Sequence, residues 1–112
     1  MRTFIKPSDK TAFIYDDKEV TYNELLSRIR VFANTFSISK GDRILLFSEN
    51  RPEWIYAFFS SWGKGGINVP IDAGIETEAL RYIINDCAPS TIFCSQGTIE
   101  RAREAVASAD SK

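Results

Sequence analysis

Three short, mostly apolar runs recur along this chain: Arg43 to Ser48, Ile67 to Ile71 and Thr91 to Cys94. A stretch with helical spacing of apolar residues separates each run from the next. An apolar run without alternation reads as a strand buried on both faces. Such strands, alternating with helices, imply a parallel sheet covered on both faces by right-handed crossovers. The expected class is therefore α/β, a three-layer α/β/α arrangement with strands near 43–48, 67–71 and 91–94. At 112 residues the chain is expected to form a single domain, 1–112, with a frayed tail at 108–112. Three strands make a small sheet, and an uncovered edge invites another strand. Self-association through that edge is expected.

The residues ahead of the sheet read as a hairpin and a helix. Ala12 to Tyr15 and Glu19 to Thr21 are β-prone, and Asp16-Asp17-Lys18 between them suits a turn. Thr21 and Glu24 have the spacing of a capping box. Tyr22, Leu25, Leu26, Ile29, Phe32, Ala33 and Phe36 then recur on one helical face, so an amphipathic helix should run to about Ser37. Glu24 and Arg28 are spaced to pair on its other face. A second helix should begin at Pro52, capped by Asn50, with Glu53 three residues on. It carries Trp54, Ile55, Ala57, Phe58, Phe59 and Trp62, apolar nearly all round, and is expected to be deeply covered. A third helix should start near Glu76 and break at Ala88-Pro89-Ser90. Thr98 should cap a fourth.

Composition removes several functions. The formal net charge is −1, which gives no reason to expect nucleic acid or an anionic membrane as partner. No apolar run approaches the ~20 residues of a membrane span. The first residues lack the apolar core of a secretory signal, so a cytoplasmic location is expected. There is no histidine, which excludes Ser-His and Cys-His nucleophilic pairs within this chain. The two cysteines, Cys87 and Cys94, are too few for a structural metal site and read as buried small hydrophobes. No catalytic, cofactor-binding or metal-ligating residue is assigned. Gly63-Lys64-Gly65-Gly66 is rich in glycine, but a helix precedes it and a strand follows. A phosphate cradle has the opposite order, so the run reads as a helix end. Ser48, Glu49, Asn50 and Arg51 lie at the carboxyl end of a parallel strand, where α/β sheets bind ligands. They are the candidate ligand-binding residues. The favoured reading is simpler: Asn50, Pro52 and Glu53 start a helix and need no ligand.

The order of short motifs resembles a known family. Thr21-Tyr22-Asn23-Glu24-Leu25, Gly41-Asp42-Arg43, Asn50 to Glu53, and Lys64-Gly65-Gly66 to Pro70 are similar to the opening of the AMP-forming acyl-CoA synthetases, the adenylate-forming ligases. The likeness runs from about Thr11 to Ser95. The form "SENRPEW" at Ser48–Trp54 resembles the long-chain fatty-acid–CoA ligase branch most. The resemblance implies an enzyme that uses ATP and Mg²⁺ to turn a carboxylate into an acyl-adenylate, then passes the acyl group to coenzyme A. Such enzymes are several times longer than this chain. Their Ser/Thr/Gly-rich phosphate loop ending in Pro-Lys-Gly, their adenine and ribose motifs and their C-terminal catalytic lysine have no match here. The resemblance thus implies an N-terminal fragment, inactive alone, whose partner is the remainder of the ligase. Two other readings stay open: a self-sufficient α/β interaction module, and a nucleotide-binding domain using residues 48–51.

Overall fold

A computed structural model describes residues 5–109; of the tail expected to fray, 108–112, Ser108 ends the last helix and residues 110–112 lie outside the described ones. A hairpin comes first, β1 (Thr11–Tyr15) with β2 (Lys18–Thr21), followed by helix α1 (Tyr22–Ala33). Then come β3 (Arg43–Phe47), α2 (Pro52–Gly63), β4 (Ile67–Ile71), α3 (Thr77–Cys87), β5 (Thr91–Cys94) and α4 (Ile99–Ser108). The hairpin turns at Asp16 and Asp17, with φ of 50° and 61°. Two successive positive φ values match the strand twist, and Asp tolerates them. The three long-range strands are parallel, in the order β4-β3-β5.

Two helices cover each face of this sheet. Leu45 and Phe47 of β3 pack with Ile71, Leu80, Ile84, Ala102 and Ala105, which places α3 and α4 on one side. Ile44 and Leu46 point the other way, against Ala57 of α2, with Phe32, Trp54, Phe58 and Phe93 around them. The hairpin closes over α1 and α2 through Val20, Leu25, Ile29 and Tyr56. The expected three-layer α/β fold is present.

The capping box forms as its spacing requires. The Glu24 N–H donates to the Thr21 hydroxyl at 3.1 Å, and the Thr21 N–H donates to the Glu24 carboxylate at 3.0 Å. Other local expectations need correction. Helix α1 ends at Ala33 rather than near Ser37, since Phe36 turns to meet Phe93 with ring centres 5.0 Å apart. Arg28 donates to the Tyr56 hydroxyl at 2.9 Å, and no ion pair with Glu24 forms among the described residues. Helix α2 is N-capped by Arg51, not Asn50, and the Arg51 side chain makes no cap hydrogen bond. Its buried face is Tyr56, Ala57, Ser60 and Ser61, while Trp62 remains 45% exposed. The small residues let the helix axis approach the sheet, and the Ser60 hydroxyl is satisfied by the Ala57 carbonyl at 3.2 Å. Cys87 and Cys94 are half-buried and unpaired. Burial raises the Cys94 thiol above its ordinary pKa.

Candidate functional site

The chain leaves β3 toward α2 on one face and leaves β5 toward α4 on the opposite face. Neighbouring strands whose connections part in this way open a crevice at their carboxyl ends, where α/β sheets bind ligands. A cleft of about 250 Å³ lies on the α1/α2 side of that end. Phe32, Leu46, Trp54 and Phe93 form its apolar wall, and Ser48, Arg51, Ser95 and Gln96 its polar rim.

The four sequence candidates divide here. Ser48 and Arg51 line the cleft. Arg51 is held by Glu53, with Nε 2.8 Å from the carboxylate. Burial pushes the Glu53 carboxyl up, but its own backbone N–H and Arg51 outweigh that and hold it below the usual range. Asn50 instead lines shallower grooves beside the hairpin and beside β4. Glu49 turns toward the β5 side. The Ser95 hydroxyl donates to its carboxylate and lowers its pKa. Gly97 makes room for this contact, since a Cβ there would stand 2.4 Å from Glu49 Oε2.

Beneath these residues lies a buried lock between the strand ends. The Thr98 hydroxyl donates to the Phe47 carbonyl at 2.6 Å and accepts from the Ser95 N–H at 3.0 Å. Thr98 is the N-cap residue of α4, as expected, but its side chain makes no bond to that helix's amides. Arg101 ties the three loops together. It donates to the Ile75 carbonyl at 2.6 Å and to the Gly97 carbonyl at 3.2 Å, with its guanidinium 5.1 Å from the centre of the Phe47 ring. Ser95, Gln96, Thr98 and Arg101 were not singled out as site residues in the sequence. Their longer-range contacts, from Ser95 to Glu49, Thr98 to Phe47 and Arg101 to Ile75, join segments more than 20 residues apart, which no local spacing signals.

The remaining family motifs also sit at element ends. Lys64 Nζ donates to the Ala33 and Phe36 carbonyls and stands 4.1 Å from the centre of the Phe36 ring. It places positive charge at the carboxyl end of α1, where the helix dipole is negative. Gly66 is fixed by close approach: a Cβ would come within 2.7 Å of Ile38 and 3.1 Å of the Ser61 carbonyl oxygen. The glycine run follows a helix, and its lysine already serves α1. It does not fit a nucleotide phosphate. Arg43 donates to the Cys87 carbonyl at the end of α3, at 3.3 Å. Asp42 accepts the Ser39 N–H at 2.9 Å. Among the described residues, no group of three or more His, Cys, Asp or Glu side chains is placed to hold a metal ion. No helix among them is long and apolar enough to cross a membrane.

Comparison with known proteins agrees with the motif order. The model of the family described as "AMP-binding enzyme" matches residues 3–112. A 4-hydroxybutyrate–CoA ligase of Metallosphaera sedula is 35% identical over 80 residues, covering 69% of this chain and 15% of that protein. An acetyl-coenzyme A synthetase of Mesorhizobium japonicum is 36% identical over 97 residues, covering 79% of this chain and 15% of that protein. Among solved structures, a benzoate CoA ligase from Burkholderia xenovorans superposes with a TM-score of 0.81 at 26% identity, over 89% of this chain and 21% of that one. The chain thus spans about 15% of the length of these curated relatives. It belongs to the AMP-binding enzyme family, among proteins named as acyl-CoA ligases and synthetases.

Proposed function

We propose that this chain is the N-terminal part of a fatty-acid–CoA ligase of the cytoplasm, and that alone it catalyses neither half of the reaction. The whole enzyme would use ATP and Mg²⁺ to form an acyl-adenylate and then transfer the acyl group to coenzyme A. One observation carries this reading: the family-signature residues Thr21, Glu24, Arg43, Pro52 and Lys64 are each spent on a helix end. They build scaffold and leave the chemistry to the remainder of the ligase. The preference for a fatty acid rests on "SENRPEW" at Ser48–Trp54.

The test is to read the coding sequence past Lys112 and assay its product. A downstream Gly-rich Pro-Lys-Gly loop, with palmitate preferred to acetate in ATP-dependent thioester formation, is expected. A stop codon directly after Lys112 would contradict the fragment reading, and preference for acetate would contradict the fatty-acid assignment. The cleft favours a second reading, a ligand held at Ser48 and Arg51. Titrating ATP into the labelled chain should move the amide resonances of 48–51 if that reading holds, and unmoved resonances would end it.

A further inference from the structure

Two ties of different depth join the loop after β3 to the loop after β5. The deeper one is the fully buried Thr98 hydroxyl, which donates to the Phe47 carbonyl at 2.6 Å. The other lies at the surface. There the Ser95 hydroxyl donates to the Glu49 carboxylate, and one carboxylate oxygen lies against Gly97, in the place a Cβ would take. The remaining side-chain hydrogen bonds of residues 48–51 are local: Ser48 to the Glu49 carbonyl at 3.0 Å, and Arg51 to Glu53 at 2.8 Å. Among the described residues, Glu49 is thus the one side chain of 48–51 whose hydrogen bond reaches another loop. Arg51 from its own loop and Arg101 from α4 add attraction to its negative charge. Asp72, after β4, lines the same shallow groove from a third side.

Gly97 is the seat of this surface tie. Its φ is not in the left-handed region, so an alanine can adopt the same backbone. An added Cβ would collide with the Glu49 carboxylate and then meet Ser95 Oγ at an ordinary 3.7 Å. The space above residue 97 therefore admits the carboxylate or a methyl group, but not both. We propose that Glu49 is a latch across the crevice: its carboxylate, seated on Gly97 and held by Ser95, fixes the 48–51 loop against the turn that follows β5. The latch sets how far the cleft opens, because Ser48 and Arg51 line one rim and Ser95 and Gln96 the other. Its release leaves the Thr98 bond in place, so the strand ends stay joined while the 48–51 loop loosens. Every part of the latch lies within residues 48–101, so it requires no partner from outside. It also requires no ligand, so it stands or falls apart from the reading in which 48–51 bind ATP.

Amide resonances of the isotope-labelled 112-residue chain, followed as pH is lowered, test this. The Ser95 hydroxyl, the backbone N–H of Glu49 itself and the two arginines hold the Glu49 carboxyl below its usual range. The amides of Asn50, Ser95 and Gly97 should therefore shift together in one step below the ordinary glutamate value of roughly 4.3. Glu49→Gln should abolish that step and speed hydrogen exchange of the 48–51 amides. Gly97→Ala evicts the carboxylate, so it should move the Glu49 step upward and speed the same exchange. Added to Glu49→Gln it should bring no further gain, because the two changes act on one contact. Ser95→Ala removes the donor hydroxyl and should behave as Gly97→Ala does, which keeps the test decisive if Gly97→Ala does not fold. Three results would overturn the proposal: Ser95 and Gly97 amides that do not share the step, an unmoved step and unchanged exchange in Gly97→Ala or Ser95→Ala, or a Gly97→Ala effect as large with Glu49→Gln as without it.

Discussion

The two faces of the sheet are finished to different degrees. On the α3/α4 face, Leu45, Phe47, Leu80 and Ala105 are fully buried in a cluster that is aliphatic apart from Phe47. On the α1/α2 face, Ile44 and Leu46 are just as deeply covered, but the layer above them is a chain of half-exposed aromatics. Trp54 stacks on Phe58 at 5.5 Å, Phe58 meets Phe59 at 5.2 Å, and Phe59 meets Trp62 at 6.1 Å. The buried Ser61 hydroxyl and Asn68 carbonyl oxygen also lack hydrogen-bond partners among the described residues. One face resembles the interior of a complete domain. The other resembles a surface built to be covered, which supports the proposal that the chain is part of a longer ligase.

This difference can be broken by mutation. Leu80→Ala opens a cavity in the finished face and should cost about 2–5 kcal/mol in denaturant unfolding. Trp62→Ala removes a larger side chain from the unfinished face, yet should cost no more than about 1 kcal/mol. Equal costs would show that the two faces contribute alike. Thr98→Val keeps the shape of the lock but leaves the Phe47 carbonyl and Ser95 N–H without their partner. It should cost about 1–3 kcal/mol by the same measurement. Lys64→Met removes the cation from the end of α1 and should cost about 1–2 kcal/mol. A neutral Lys64→Met variant would reopen the question of what this lysine is for.

Local patterns were legible in the sequence, and contacts between distant residues were not. The capping box needs only Thr21 and Glu24, and the strands need only their own apolar runs, so both could be read directly. The Asp16-Asp17 turn was readable for the same reason. The cap of α2 was misplaced because the loop extends one residue further than Asn50, to Arg51. The buried face of α2 was misjudged because hydropathy favours Trp62 over Ser60, whereas close approach to the sheet favours the smaller residue. Arg28 left Glu24 for a tyrosine 28 residues away. At the crevice, the place of Ser48 and Arg51 beside the cleft follows from their position after a strand, which is legible locally. Ser95, Thr98 and Arg101 were missed because Glu49, Phe47 and Ile75, which they also meet, are distant in the sequence.

The smallest expected effect concerns acid. Glu24 is held below its ordinary pKa by the Thr21 backbone and hydroxyl, Glu49 by Ser95, and Glu53 by its own backbone and Arg51 against the cost of burial. A depressed carboxylate stabilises the fold above its unfolded pKa, roughly 4.3, and loses that contribution as pH falls through the folded value. Thermal unfolding should therefore show a modest loss of stability below about pH 4.5. Glu49→Gln should flatten part of it.

The central claim is that the family motifs in these 112 residues hold helix ends and leave catalysis to other parts of the enzyme. Carboxylate-dependent ATP–pyrophosphate exchange tests it most directly. The purified chain, supplied with Mg²⁺, ATP and a fatty acid, should exchange no more label than a protein-free control. Robust exchange would contradict the claim and return Ser48 to Arg51 to the centre of an active site.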